Sequence, residues 1–133
     1  MPSAAVADTH ALVFHAAGGK HLGNRAKAAF ASAEQRRSII YIPAAVIWEC
    51  SILARIQRID LGRATRSFFD DLFSNPAYQP VDLTAEQVLL ADEMRPNADP
   101  FDALICAAAR HLSLPLLTRD AEIEDSGLVR VIW

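Results

Sequence analysis

The 133-residue chain is poor in cysteine, with only Cys50 and Cys106, and neither has a Cys or His neighbour at zinc-site spacing. Both fall in apolar helical patterns, where a free thiol behaves as a small buried hydrophobe. The four histidines, His10, His15, His21 and His111, also lack zinc spacing. No apolar run approaches the ~20 residues that span a bilayer. No basic segment followed by an apolar one opens the chain, so no leader is expected. A cytoplasmic protein with no membrane partner follows as the expectation. Lysine is scarce too, limited to Lys20 and Lys27. A phosphate-accepting receiver domain needs an acidic pair after its first strand and a lysine after its last. Asp8 stands without an acidic neighbour and no lysine follows Lys27, which argues against that class. Repeats, low-complexity stretches and internal linkers are also missing, and the length suits a single domain over residues 1–133.

What is present is a globular composition, 52% hydrophobic and 22% charged. Short apolar runs predict strands at Ser3–Ala7, Ile39–Ile42, Tyr78–Leu83, Pro115–Leu117 and Leu128–Ile132. Helical spacing fills most of the intervals: 9–17 ending at Gly18-Gly19, 22–34, 43–58 and 62–74. Two more helices follow, one from the Thr84–Gln87 capping box to Met94 and one, almost wholly apolar, over 100–112. Pro43 suits the first turn of the third helix. Trp48 is expected in the core, and Val46, Cys50, Leu53 and Ile56 on one stripe. Strands alternating with helices imply a mostly parallel sheet covered on both faces. Functional groups in such sheets gather at the carboxyl ends of the strands.

Four acids occupy those places. Asp8 closes the first strand, Glu49 lies in the helix after the second, Asp102 opens the buried helix, and Asp120 follows Leu117-Thr118-Arg119. An unpaired buried carboxylate costs several kcal/mol, so such groups neutralise, pair or bind metal. Four that converge suggest a hard divalent cation such as Mg²⁺ or Mn²⁺. Taken singly, Asp8 can close a turn and Glu49 can pair with Arg55. Asp99 reads as a helix cap ahead of Pro100, with Asp102 third in line. Net charge is −3, from 16 acids against 13 Lys and Arg. Without the four candidates the acids number 12, and the bases cluster at 25/27, 36/37, 55/58 and 63/66. Such clusters offer a phosphate-facing surface or simply solvated helix faces.

Asp8-Thr9-His10-Ala11-Leu12, then Trp48-Glu49, then Asp99-Pro100-Phe101-Asp102-Ala103-Leu104-Ile105, then Leu117-Thr118-Arg119-Asp120 resemble the PIN-domain nucleases along the whole chain. More narrowly, they resemble the VapC-like toxins of bacterial type II toxin–antitoxin pairs. The resemblance implies a PIN-like three-layer α/β/α fold with a mostly parallel sheet of about five strands. It also implies Mg²⁺-dependent (or Mn²⁺-dependent) endoribonuclease activity on RNA, a cognate antitoxin and a homodimer. Asp8, Glu49, Asp102 and Asp120 would be the catalytic and metal-binding acids, with Asp99 and Thr118 as accessories. Ala103 stands where members often have a basic residue, and Asn97 or Ala98 where many have histidine. The RNA backbone is expected on the clusters at 36–37, 55–58 and 63–66. The antitoxin is expected in a groove between the helices at 43–58 and 62–74, against Phe68, Phe69, Leu72 and Phe73. An RNA-processing nuclease outside any toxin pair, or a non-catalytic interaction module on the same fold, are the alternatives.

Overall fold

The computed structural model describes residues 3–133. Five strands, β1 (Ala4–Ala7), β2 (Ile39–Pro43), β3 (Tyr78–Val81), β4 (Leu116–Leu117) and β5 (Val131–Ile132), form one sheet in the order β3-β2-β1-β4-β5. Every pairing is parallel. The sheet is thus wholly parallel, and its strands read as continuous apolar runs because both faces are covered. Seven helices lie between the strands among the described residues: α1 (Thr9–Ala16), α2 (Asn24–Glu34), α3 (Ala44–Arg55), α4 (Thr65–Ser74), α5 (Ala85–Met94), α6 (Pro100–Leu112) and α7 (Ala121–Ser126). This is the three-layer α/β/α arrangement that the resemblance implies.

The chain leaves β1 toward β2 and β3 on one side, then returns to β4 and β5 on the other. The direction therefore reverses between β1 and β4, the crevice where parallel sheets place their sites. The core runs through this centre: Val6, Ala7, Leu116 and Leu117 are fully buried, as are Ala107 and Ala109 of α6. Small residues on β1 and α6 let the two elements approach closely. The predicted apolar character of α6 holds, since Ala103 and Ile105 through Ala109 are all buried.

Local chemistry sets the helix ends. Asp8, Thr84, Asp99 and Asp120 each accept backbone N–H bonds at an N-terminus, which stabilises a helix by about 1 kcal/mol per cap. After α1 the chain turns through Gly18 and Gly19, at φ 103° and 80°, a region open to glycine but costly for other residues. Gly23 meets a different demand. A Cβ there would lie 2.5 Å from the backbone carbon of Trp133, whose carbonyl accepts from the Arg25 N–H at 3.1 Å.

Several boundaries differ from the sequence reading. Pro43 is the last residue of β2, paired with Val81, and caps α3 instead of opening its first turn. Helix α3 stops at Arg55, because Gln57 adopts a left-handed φ of 60°. Ile56 consequently lies outside the helix and is 58% exposed. Trp48 is not a core residue; it is 59% exposed. Val46 and Cys50 face the core, and Trp48, two positions from each, points about 200° away on a helix of 3.6 residues per turn. The last strand begins at Val131, three residues later than expected. The preceding Leu128 carbonyl faces Arg110 of α6.

Candidate active site

Asp8 is the last residue before α1, at the carboxyl end of the central strand. Its carboxylate Oδ1 accepts from the Ala11 N–H at 2.8 Å, and the Thr118 hydroxyl bonds it from beyond β4. The same Thr118 oxygen accepts from the Asp120 N–H at 3.1 Å. A fully buried threonine thus bridges Asp8 to the Asp120 backbone across the β1–β4 crevice. Asp120 caps α7, its Oδ1 accepting from Glu122 and Ile123 at 2.8 and 3.2 Å. Asp102 enters from the first turn of α6, and its Oδ2 accepts from Asn97 Nδ2 at 2.8 Å. Asn97 also holds the Asp99 N–H at 2.9 Å, fixing the cap of that helix. Among the described residues, Oδ1 of Asp102 and Oδ2 of Asp120 keep no protein hydrogen bond.

Asp8, Asp102 and Asp120 line one cleft of about 420 Å³, together with His10, Thr118, Arg119, Ala121 and Glu122. Glu49 and Asp99 do not line it. Glu49 lies beside it, its Oε1 accepting a short 2.5 Å bond from the buried Thr9 hydroxyl. Asp99 spends Oδ1 on the N–H groups of Phe101 and Asp102, at 2.8 and 3.4 Å, as its cap reading predicts.

The electrostatics report the same crowding of acids. Burial raises the Asp8 carboxyl above its ordinary range, against the bonds from Thr118 and Ala11 and the field of His10. Burial pushes Asp102 up to about 6, and the charges of Asp99, Asp120 and Asp8 add to it. Glu49 is raised by burial and by Asp99, against its Thr9 bond. The Cys106 thiol, one helical turn beyond Asp102, is pushed up to about 12 by burial and then by Asp102, Asp8 and Asp120. Both cysteines are buried free thiols, as their apolar settings imply.

Like charge held together at this cost points to a missing positive partner. As placed, no three His, Cys, Asp or Glu side chains among the described residues converge tightly enough to chelate one ion. Each aspartate is tied to its own local anchor, whether a helix end or Asn97. The donor set nevertheless fits a hard cation. It consists of carboxylate oxygens, two of them free of protein bonds, lining an open cleft.

Three neighbours were not singled out as site residues in the sequence. Thr9 and Asn97 fix the carboxylates, and Arg119 forms part of the cleft wall. His10 also lines the cleft. The basic clusters, by contrast, are not gathered here. Arg63 and Arg66 are closed on Asp71 and Asp70 at 3.0 and 3.2 Å. Arg36 and Arg37 line a hollow with Ser3, Ser38 and Ile39, at the opposite end of the sheet. Phe68 and Phe69 are buried, so the exposed apolar side chains on the α3 side are Trp48 and Ile56.

The model of the PIN-domain family matches residues 5–127. Solved structures with the same fold include VapBC2 from Rickettsia felis bound to a DNA fragment from their promoter (TM-score 0.68, 16% identity, covering 97% of this chain and 97% of that chain). VapC20 of Mycobacterium tuberculosis, described as a Sarcin-Ricin loop cleaving toxin, is similar at TM-score 0.68 and 19% identity, covering 95% and 97%. FitAcB from Neisseria gonorrhoeae is similar at TM-score 0.65 and 18% identity, covering 96% of each chain. No curated protein sequence matches the chain. At these identities the likeness of structure establishes the fold.

Proposed function

The chain belongs to the PIN-domain family, and from that premise we propose that it is a divalent-metal-dependent endoribonuclease, the toxin of a type II toxin–antitoxin pair. The observation that carries the reading is the cleft itself: three aspartates from three separate elements line it at the point where the strand order reverses. A nuclease must neutralise charge at phosphorus, supply a water and help the leaving oxygen. Bound Mg²⁺ or Mn²⁺ lends Lewis acidity and an acidified water to such a site.

Asp8, Asp102 and Asp120 are the residues that would hold the ion. Thr118 stands between Asp8 and the Asp120 backbone. Glu49, steered by Thr9, is placed to orient a water at the edge. Asp99 keeps α6 capped and adds negative charge nearby.

The proposed partners follow from surface and kinship. A similar structure, at TM-score 0.66 and 17% identity, is a toxin–antitoxin complex from Klebsiella pneumoniae, and an antitoxin is the partner proposed here. The exposed Trp48 and Ile56 on the α3 side replace the expected phenylalanines as its apolar anchors. A homodimer and an RNA substrate complete the reading. RNA cleaved at a chosen sequence is usually single-stranded, because its unstacked bases can be read.

Asp8→Asn tests this directly. The variant should fold as the parent does by circular dichroism and cleave RNA at least a hundredfold more slowly in Mg²⁺, the scale of a lost general catalytic group. Cleavage by Asp8→Asn at the parent's rate rejects the assignment.

A further inference from the structure

A cleft lined by Asp8, Asp102, Asp120 and Glu122 repels the polyanion it is proposed to cut. Something in its wall must attract a phosphate, and the lining contains one arginine and no lysine. That arginine is Arg119. Its guanidinium carbon lies 4.7 Å above the centroid of the Phe14 ring. Phe14 is itself held half-buried, with Trp133 at 6.3 Å and His21 at 5.5 Å between ring centroids.

Four of the other ten arginines are already engaged, and none of the ten lines the cleft. Arg63, Arg66 and Arg95 are closed on Asp71, Asp70 and Asp92, and Arg110 on the Leu128 carbonyl. Arg119 forms no salt bridge among the described residues, although it precedes Asp120 in the chain. A guanidinium held over an aromatic ring keeps N–H groups for a further partner. Two parallel N–H donors match two phosphate oxygens, and stacking removes much of the side-chain freedom that binding would otherwise have to freeze.

We propose that Arg119, laid on the ring of Phe14, is the clamp for a backbone phosphate of single-stranded RNA entering the carboxylate cleft. The inference rests on the nuclease reading and adds to it the group that seats the strand. The platform, not the charge alone, sets its geometry: Phe14 determines where the fork points, and the fork determines which phosphate stands over the aspartates.

The test is binding without catalysis. Fluorescein-labelled oligouridine is titrated by anisotropy in EDTA, over a series of salt concentrations, with parent, Arg119→Ala, Arg119→Lys and Phe14→Leu. Arg119→Ala should weaken binding about tenfold and lower the slope of log affinity against log salt by about 0.7, the loss of one single-strand phosphate contact. Arg119→Lys should keep the slope and lose part of the affinity. Phe14→Leu should lose affinity at unchanged slope. If Arg119→Ala changes only the melting temperature and binds as the parent does, the arginine is a packing group and the clamp is refuted. A parallel assay of parent and Asp8→Asn in Mg²⁺ separates the two readings. Cleavage by the parent alone, with binding indifferent to Arg119, sinks the clamp and leaves the nuclease. A parent that neither binds nor cleaves RNA sinks both.

Discussion

A carboxylate in the first turn of a helix is ordinarily welcome, because the helix dipole favours it there. Asp102 occupies such a position, yet burial and three neighbouring acids hold its carboxyl up to about 6. The crowding outweighs the dipole, and the fold carries a strained charge at neutral pH. Asp102→Asn removes the charge and keeps an oxygen for Asn97. In chelator at pH 7 the variant should therefore be more stable than the parent by about 1 kcal/mol, once solvent screening of a half-exposed group is allowed for. Urea denaturation in EDTA measures this, and a destabilised variant would contradict the account. At this scale the acids were legible because carboxylates at the ends of apolar runs are out of place. Arg119 was not legible as a wall of the cleft, because its partner Phe14 lies near the other end of the chain and no spacing rule joins them. Thr9 escaped notice for a similar reason. A threonine opening a helix needs no explanation until its hydroxyl is found on Glu49, forty positions away.

Helices and strands show the same division between local and tertiary information. Caps and the buried α6 were readable, since both depend on neighbours in sequence. The end of α3 was not, because Gln57 takes a left-handed conformation that glycine usually signals. Trp48 was misplaced because its helix is apolar on more than one face, so hydrophobicity alone did not pick the buried one. A polar knot joins three elements where no motif announced it. Glu34 of α2 accepts from Tyr78 of β3 at 2.7 Å and meets His15 of α1 at 3.1 Å, while His15 stacks on Phe30 at 4.2 Å. The Tyr78 bond, then His15, hold the Glu34 carboxyl below its ordinary 4.5. A lowered acid stabilises the fold above its unfolded value, and that contribution disappears as pH falls through the folded one. Glu34→Gln should thus be less stable than the parent at pH 7, by under about 1 kcal/mol for so exposed a group. The gap should close at pH values well below 4.5. Denaturant midpoints at the two pH values check the sign; a gap that widens in acid would overturn it.

Over the whole molecule, net charge was a poor guide and topology a good one. A chain at −3 looks unfit for RNA until the acids of the cleft are set apart from the rest. The parallel order β3-β2-β1-β4-β5 brings Asp8 and Asp120 to one edge, however far apart they lie in sequence. It equally carries Arg36 and Arg37 to the other edge, where a strand seated at the cleft would not meet them. The fold has thus concentrated negative charge at the switch point, and its stability without a cation should be submaximal. A ligand that binds only the folded state adds about 2.7 kcal/mol at a hundred times its Kd. For a domain of this size that corresponds to a rise of about 8–10 °C in melting temperature. Saturating Mg²⁺, compared with K⁺ at matched ionic strength, should produce a shift of that order in the parent. Asp8→Asn and Asp120→Asn should lose most of it, because each removes one of the carboxylates lining the cleft. Glu34→Gln, far from the cleft, should keep it. Equal shifts in all four proteins would mean that the ion screens the surface instead of occupying the cleft, and the metal centre proposed here would fall with that result.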